Sequence, residues 1–342
     1  MNKPDPEHDN ATANARRPRL GFLGTGWIGR HRMKAIVESG IADAVAIADP
    51  SPEMAGEARK IAPSAIVVPS LEELLALDLD GIVIATPSAL HAGQSLQALE
   101  RGRAVFCQKP LGRDAAEAKA VIDAARRADR LLDVDLSYRH TEGMRRIRAL
   151  IEANELGDVF AVDLVFHNAY GPDKAWFYDR SLSGGGCVMD LGVHLIDLAL
   201  WALDFPEVMR ASGSLYSQGR PLDADSDEVE DFSIAAIELE NGTILRLTCS
   251  WRLQAGCDAI ISASFYGTAG GATFRNIDGS FFDFVAEQYH GTQKELLTMP
   301  PDEWGGRAAV DWAKRLAEGQ RFDPKCEHLV ELARAIDAIY GR

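Results

Sequence analysis

A short apolar run, Leu20 to Leu23, ends in Gly24-x-Gly26-x-x-Gly29 and leads straight into a helix-like segment. Few folds use that order of features. Gly24 permits a tight turn, Gly26 lets the backbone approach a pyrophosphate, and Gly29 lets the helix pack close to the strand, so that the helix N-terminus offers unpaired N–H groups to an anion. Trp27 and Ile28 lie inside this loop and join the expected cofactor-binding set. Asp49 follows 20 residues after Gly29, at the end of a second apolar run, Ala44 to Ala48. A carboxylate there accepts from the adenosine ribose hydroxyls and repels a 2′-phosphate. The strand, loop, helix and acid together read as a dinucleotide site. NAD is the expected cofactor, with NADP possible; Pro50 and Ser51 supply no compensating positive charge.

At 342 residues the chain has the length of two domains, each with room for a core. Its net charge of −15 argues against nucleic acid or an anionic membrane as partner, since both require clustered Lys and Arg. The five cysteines, Cys107, Cys187, Cys249, Cys257 and Cys326, are scattered and lack C-x-x-C spacing, so a reducing cytoplasm is expected. No uninterrupted apolar run approaches the ~20 residues that span a bilayer; the longest, Leu195 to Leu203, contains Asp197. Residues 1–17 are polar and read as a disordered leader. Their Arg16-Arg17 pair is followed by a strand too short for an export signal.

From Leu20 to Leu136 short apolar runs alternate with helical patterns, with strands expected at 20–23, 44–48, 66–68, 81–86, 104–107 and 131–136. This is the rhythm of a doubly wound parallel sheet. Asp114-x-x-Glu117 opens a helix over 114–128 as a capping box. After Leu136 the rhythm stops. A helix over 142–153 leads to a strand-like run from Val159 to Phe166, and later strands are expected at 232–239, 243–251, 260–266 and 272–274, with Glu240-Asn241-Gly242 as a hairpin turn. The expected division is therefore a dinucleotide-binding domain over 18–137 and an α+β domain with an antiparallel sheet over 138–342.

Cys107-Gln108-Lys109-Pro110 follows the fifth strand, at the carboxyl edge where open α/β sheets bind ligands. Alone, Lys109 reads as a solvated loop lysine. Thr86-Pro87-x-x-x-His91 occupies the equivalent edge after the fourth strand; alone, it reads as a turn and a helix. The densest cluster runs from Gly184-Gly185-Gly186 through Asp190 and His194 to Asp197. Three glycines put backbone freedom or close ligand approach at the entrance to a helix. Asp190 and His194, four apart, share a helical face, and a neighbouring carboxylate fixes the tautomer of an imidazole and raises its pKa. A capping Asp beside a packed histidine, or a metal held with the distant His167, are the other readings that spacing leaves open.

With these pieces in order the chain resembles the glucose-fructose oxidoreductase, inositol dehydrogenase and rhizopine-catabolism (Gfo/Idh/MocA) family of NAD(P)-dependent oxidoreductases over residues 18–342. The resemblance rests on the glycine loop, Thr86-Pro87-x-x-x-His91, Gln108-Lys109-Pro110, Gly184 to Gly186 with Asp190-x-Gly192-x-His194, Val229-Glu230-Asp231, and Gly267-Thr268-Ala269-Gly270. It implies a Rossmann domain followed by a domain whose open, mostly antiparallel sheet often forms a dimer or tetramer interface. It also implies Thr86, Pro87, His91 and Gln108 against the cofactor, Lys109 beside nicotinamide and substrate, His194 as acid/base, and Asp190 as its partner or a substrate ligand; no metal is implied. Where the family usually has Glu-Lys-Pro this chain has Gln108-Lys109-Pro110, which removes a negative charge beside the nicotinamide ribose. Tyr138, Arg139, Trp176 and Tyr178 are expected in the substrate pocket from their positions. The implied activity is a dehydrogenase or reductase acting on a sugar, sugar acid or cyclic polyol. An NAD-dependent glycosidase of the same family and a non-catalytic dinucleotide-sensing regulator are the alternatives.

Overall fold

Six short strands pair in parallel: β1 (Arg19–Leu23), β2 (Asp43–Ala48), β3 (Ile66–Val68), β4 (Gly81–Ile84), β5 (Ala104–Cys107) and β6 (Leu132–Val134), in the order β3-β2-β1-β4-β5-β6. The computed structural model describes residues 16–223 and 226–342. The expected disordered leader therefore lies, but for its last two residues, outside the described chain. β4 and β5 are buried along their whole length, as strands covered on both faces must be. The strand order reverses between β1 and β4, which opens a crevice at their carboxyl ends. The helix Ala115–Ala128 is capped by Asp114, whose side chain accepts from Glu117 N at 2.8 Å. The Glu117 carboxylate accepts from Arg113 N at 2.7 Å, so the return bond of the box goes one residue further back.

The second sheet holds β7 (Val159–Asn168), β8 (Val208–Ser217), β9 (Arg220–Pro221), β10 (Phe232–Leu239), β11 (Ile244–Ser250), β12 (Ala259–Gly267), β13 (Gly271–Asn276), β14 (Phe284–His290) and β15 (Gln293–Thr298). Their order is β15-β14-β13-β12-β7-β11-β10-β8-β9, and every neighbouring pair is antiparallel except the central β7–β11 pair. The Glu240-Asn241-Gly242 turn joins β10 to β11, with Gly242 at φ +83°. Helices Glu142–Glu152, Val193–Ala202 and His328–Ile339 cover one face. On the other, Ile234, Ile260 and Tyr266 stay exposed.

Two features depart from the linear reading of the chain. The helix Arg307–Ala317 returns to the parallel sheet, where Trp312 is fully buried beside Gly81 and lies 5.7 Å from the Phe106 ring. The split at residue 137 thus divides the sheets but not the helices. The segment Arg180–Ala202 is also, by length and composition, apolar enough to cross a membrane, which the interruption at Asp197 had argued against; 83% of its most apolar window is buried inside this fold.

Candidate active site

The glycine loop has the shape of an anion cradle. A Cβ on Gly24 would meet Ala85 O at 2.6 Å and one on Gly29 would meet Gly24 O at 2.2 Å, whereas Gly26 faces open space. Gly24 itself sits at φ +80°. Gly26 caps the helix Trp27–Ser39 without any side-chain hydrogen bond, so the first N–H groups of that helix are left for a ligand. These residues fit a dinucleotide pyrophosphate. The Asp49 carboxylate accepts from Thr25 N at 2.5 Å and Ser51 N at 2.8 Å, which fixes it at the rim of the same cleft. Arg30 also lines this rim and donates to Thr25 O at 2.7 Å, a cation that the sequence reading, looking only at Pro50 and Ser51, had missed.

The loops after β4 and β5 are tied together by His91, whose ring nitrogens lie 2.7 Å from Pro110 O and 2.7 Å from Thr86 O. The side chain is buried and both its polar atoms are taken, so it shapes the cleft wall by holding the loops. Thr86 and Pro87 line the cleft directly, as do Trp27 and Ile28.

Lys109, Asp190 and His194 converge on this cleft of about 1120 Å³ from three separate elements. Lys109 Nζ donates to Asp190 O at 2.5 Å and to Asp190 Oδ1 at 2.8 Å. Trp251 Nε1, from the end of β11, donates to Asp190 Oδ2 at 3.0 Å. Both carboxylate oxygens of Asp190 are thereby engaged. The expected Asp190–His194 pairing does not form; His194 Nδ1 is buried with no hydrogen-bond partner. Consequently the pKa of His194 is not raised. Burial, reinforced by the positive charges of Lys109 and Arg32, holds it well below the usual histidine value. Tyr138 packs its ring edge-on to His194, with centroids 5.4 Å apart.

Asp190 sits in a π-helical turn, Val188–Gly192, that precedes the helix carrying His194. Such turns recur at functional sites. This one is held from outside: Glu230 accepts from Gly186 N and Val188 N, each at 2.9 Å, and from the Tyr340 hydroxyl at 2.8 Å. A Cβ on Gly185 would lie 2.1 Å from Tyr340 Oη, and one on Gly186 would lie 1.9 Å from Glu230 O. The triple glycine therefore answers to close approach by protein, although Gly185 also lines the cleft.

Of the expected pocket residues, Tyr138 and Trp176 line the cleft, joined by Phe177 and Trp304. Arg139 and Tyr178 do not. Arg139 is drawn to the buried Asp197 by a bidentate ion pair, Nε donating at 2.6 Å, and Tyr178 bonds Pro172 O at 2.9 Å and receives Arg252 Nη2 at 3.0 Å. His167 is likewise elsewhere, 2.8 Å from Ser250 Oγ and stacked on Phe232. Among the described residues no three His, Cys, Asp or Glu side chains group as a metal site. Trp251, Tyr340 and Arg32 were missed, and Glu230 was named within a motif but given no role, because no local pattern marks a residue whose partner is far away in the chain.

Residues 19–136 match the family model described as an oxidoreductase family with NAD-binding Rossmann fold, and residues 144–273 match that of the GFO/IDH/MocA C-terminal domain. The chain belongs to the Gfo/Idh/MocA family. Among curated members of the family, the D-glucoside 3-dehydrogenase of Escherichia coli K12 is 30% identical over 236 residues, covering 66% of this chain and 65% of that protein. The inositol 2-dehydrogenase of Acidiphilium cryptum is 34% identical over 229 residues, covering 66% and 64%. The matches thus span just under two thirds of these relatives. A levoglucosan dehydrogenase solved with NADH and levoglucosan superposes with a TM-score of 0.82 at 21% identity, covering 95% of this chain and 96% of that one, a likeness of fold.

Proposed function

We propose that this Gfo/Idh/MocA protein is an NAD(P)-dependent dehydrogenase or reductase that moves a hydride between the cofactor and a secondary alcohol or ketone of a sugar, sugar acid or cyclic polyol. The observation that carries the reading is that Lys109, Asp190 and His194 line the same cleft as the glycine loop. Bound NAD supplies the hydride acceptor. The protein's part is the proton and the developing charge. His194 is neutral at physiological pH, and with Nδ1 buried its free nitrogen, Nε2, takes the hydroxyl proton. An ammonium has three donors. Lys109 spends its bonds on Asp190 and has one proton left to stabilise the substrate oxygen as it becomes anionic. Trp176, Phe177 and Trp304 offer flat apolar surface to the C–H face of a sugar ring.

The bare face of the second sheet supports assembly as a dimer or tetramer, and the free cysteines agree with a cytoplasmic location. A panel of sugars, polyols and aryl glycosides, incubated with NAD or NADP, tests the activity. Reduced cofactor should accumulate one-to-one with oxidised product. Release of free sugar from an aryl glycoside without net cofactor reduction would instead establish the glycosidase, and tight NAD binding without any turnover the sensor.

A further inference from the structure

Gln108 is buried beside Lys109, and its surroundings explain why the position holds an amide. Its Nε2 donates to Asp135 Oδ2 at 2.6 Å, while its Oε1 accepts from Lys109 N at 3.2 Å. Asp135, fully buried just past β6, also accepts from Arg32 Nε at 2.5 Å and Ser137 Oγ at 2.8 Å. Arg32, 2% exposed on the helix that follows the glycine loop, donates from Nη2 to Ser137 Oγ at 3.1 Å and lies over the Trp304 ring at 5.2 Å. Arg32, Gln108 and Trp304 line the cleft that holds His194. A glutamate at 108 would set a second carboxylate against the first, and each would raise the pKa of the other. A carboxamide donates on one side and accepts on the other, which is what this position requires.

We propose that Arg32, Asp135 and Gln108 form a buried positioning relay for Lys109, in which Asp135, just past β6, supplies the single carboxylate that the relay is built to hold. The inference rests on the reading of Lys109 and His194 as the groups that handle charge and proton. Its mark is a swap: adding or removing a carboxylate harms the site, whereas moving it from 135 to 108 is tolerated. His194 reports the charge balance, since Arg32 and Lys109 face it as cations, Asp190 neutralises Lys109, and Tyr138 covers its ring. Asp135 also acts on His31 and His140, so their titrations are followed beside that of His194.

The experiment compares wild type, Gln108→Glu, Asp135→Asn and the double variant. It measures kcat, NAD affinity by calorimetry, and the titration of His194 by NMR with His194→Asn for assignment. Each single variant should lose about tenfold or more in kcat, and the double variant should recover most of that loss, as coupled neighbours do. Asp135→Asn uncovers Arg32 and should move the His194 titration down, while Gln108→Glu should move it up, by about half a unit or more. The double variant should titrate near wild type. If Asp135→Asn does not fold, Gln108→Glu against the double variant still decides. A double variant as impaired as Gln108→Glu, or a His194 titration that coincides in those two, would overturn the relay. Calorimetry and NMR need no turnover, so failure to oxidise any sugar would sink the dehydrogenase reading while leaving the relay intact.

Discussion

Lys109 and His194 face the cleft from different elements, so their loss should affect the reaction far more than the fold. Lys109→Ala and His194→Asn are expected to keep NAD affinity within a few-fold and to lose ~10² or more in kcat, the usual range for proton-transfer groups. A variant that retains a tenth of wild-type kcat under chemistry-limited conditions would show that its residue has another role. Because the folded pKa of His194 lies below 6.5, the neutral imidazole, the form the proposed base role requires, is present above that depressed value and is lost as pH falls through it. The acid limb of kcat/KM for alcohol oxidation should therefore lie below pH 6.5 and disappear in His194→Asn; a wild-type limb at or above 6.5 would contradict the buried, partnerless geometry. Asp49 and Arg30 both line the glycine-loop end of the cleft, where a carboxylate would repel a 2′-phosphate and a guanidinium would attract it. Wild type should bind NAD more tightly than NADP. Asp49→Ser should swing the ratio toward NADP by about tenfold, ~1.4 kcal/mol, as read by calorimetry.

The element that decides the site is the π-helical turn Val188–Gly192 with the glycines before it. Glu230 and Tyr340 reach it from a loop and from the end of the last helix, so the C-terminus of the chain secures the segment bearing Asp190. Glu230→Ala strands two buried amides and should cost ~2–5 kcal/mol of stability, and Tyr340→Phe, which breaks bonds to Glu230 and Met189 N, ~1–2 kcal/mol. Urea unfolding measures both. If Glu230→Ala unfolds at the wild-type midpoint, the clamp contributes nothing. Locally readable signals performed unevenly here. Asp114 caps its helix as its spacing predicts, yet Asp190 and His194, also correctly spaced for one helical face, do not pair. Stronger partners, an ammonium and an indole N–H from elsewhere in the chain, take the carboxylate first.

For the whole molecule, the nine-stranded sheet has helices on one face and none packed on the other among the described residues. Val165 and Thr248 are register partners near the centre of that bare face, between the exposed Ile234 and Ile260. The protein should elute as a dimer or tetramer in size exclusion with light scattering, and Val165→Lys should shift it toward monomer, because a charge buried at such an interface is costly. A wild-type monomer at micromolar concentration would remove the sheet as an interface. Strands β8, β9, β14 and β15 are absent from the linear reading; β14 is buried but sets Glu287 and Gln288 among its buried residues, whereas β8, β9 and β15 lie toward the two edges of this sheet. The residues of these edge strands, such as Gln293 to Glu295 in β15, are largely exposed and so carry no apolar alternation.

The sequence by itself determined the parallel sheet, the crevice at its carboxyl edge and the β10–β11 hairpin, while the meeting of Lys109, Asp190 and His194 in one cleft was implied only by the family resemblance. The first three follow from signals a few residues long: apolar periodicity, turn chemistry, and glycines at positions where a Cβ has no room. Only the tertiary structure decided how the groups are paired. Trp251 reaches Asp190 across 61 residues, Arg32 reaches Asp135 across 103, and Tyr340 reaches Glu230 across 110. It alone sent Arg139 to Asp197, away from the cleft, and brought Trp312 back beneath the first sheet. A buried polar group must find a partner wherever the packed chain supplies one, and that choice is settled by geometry between distant segments, which no local pattern encodes.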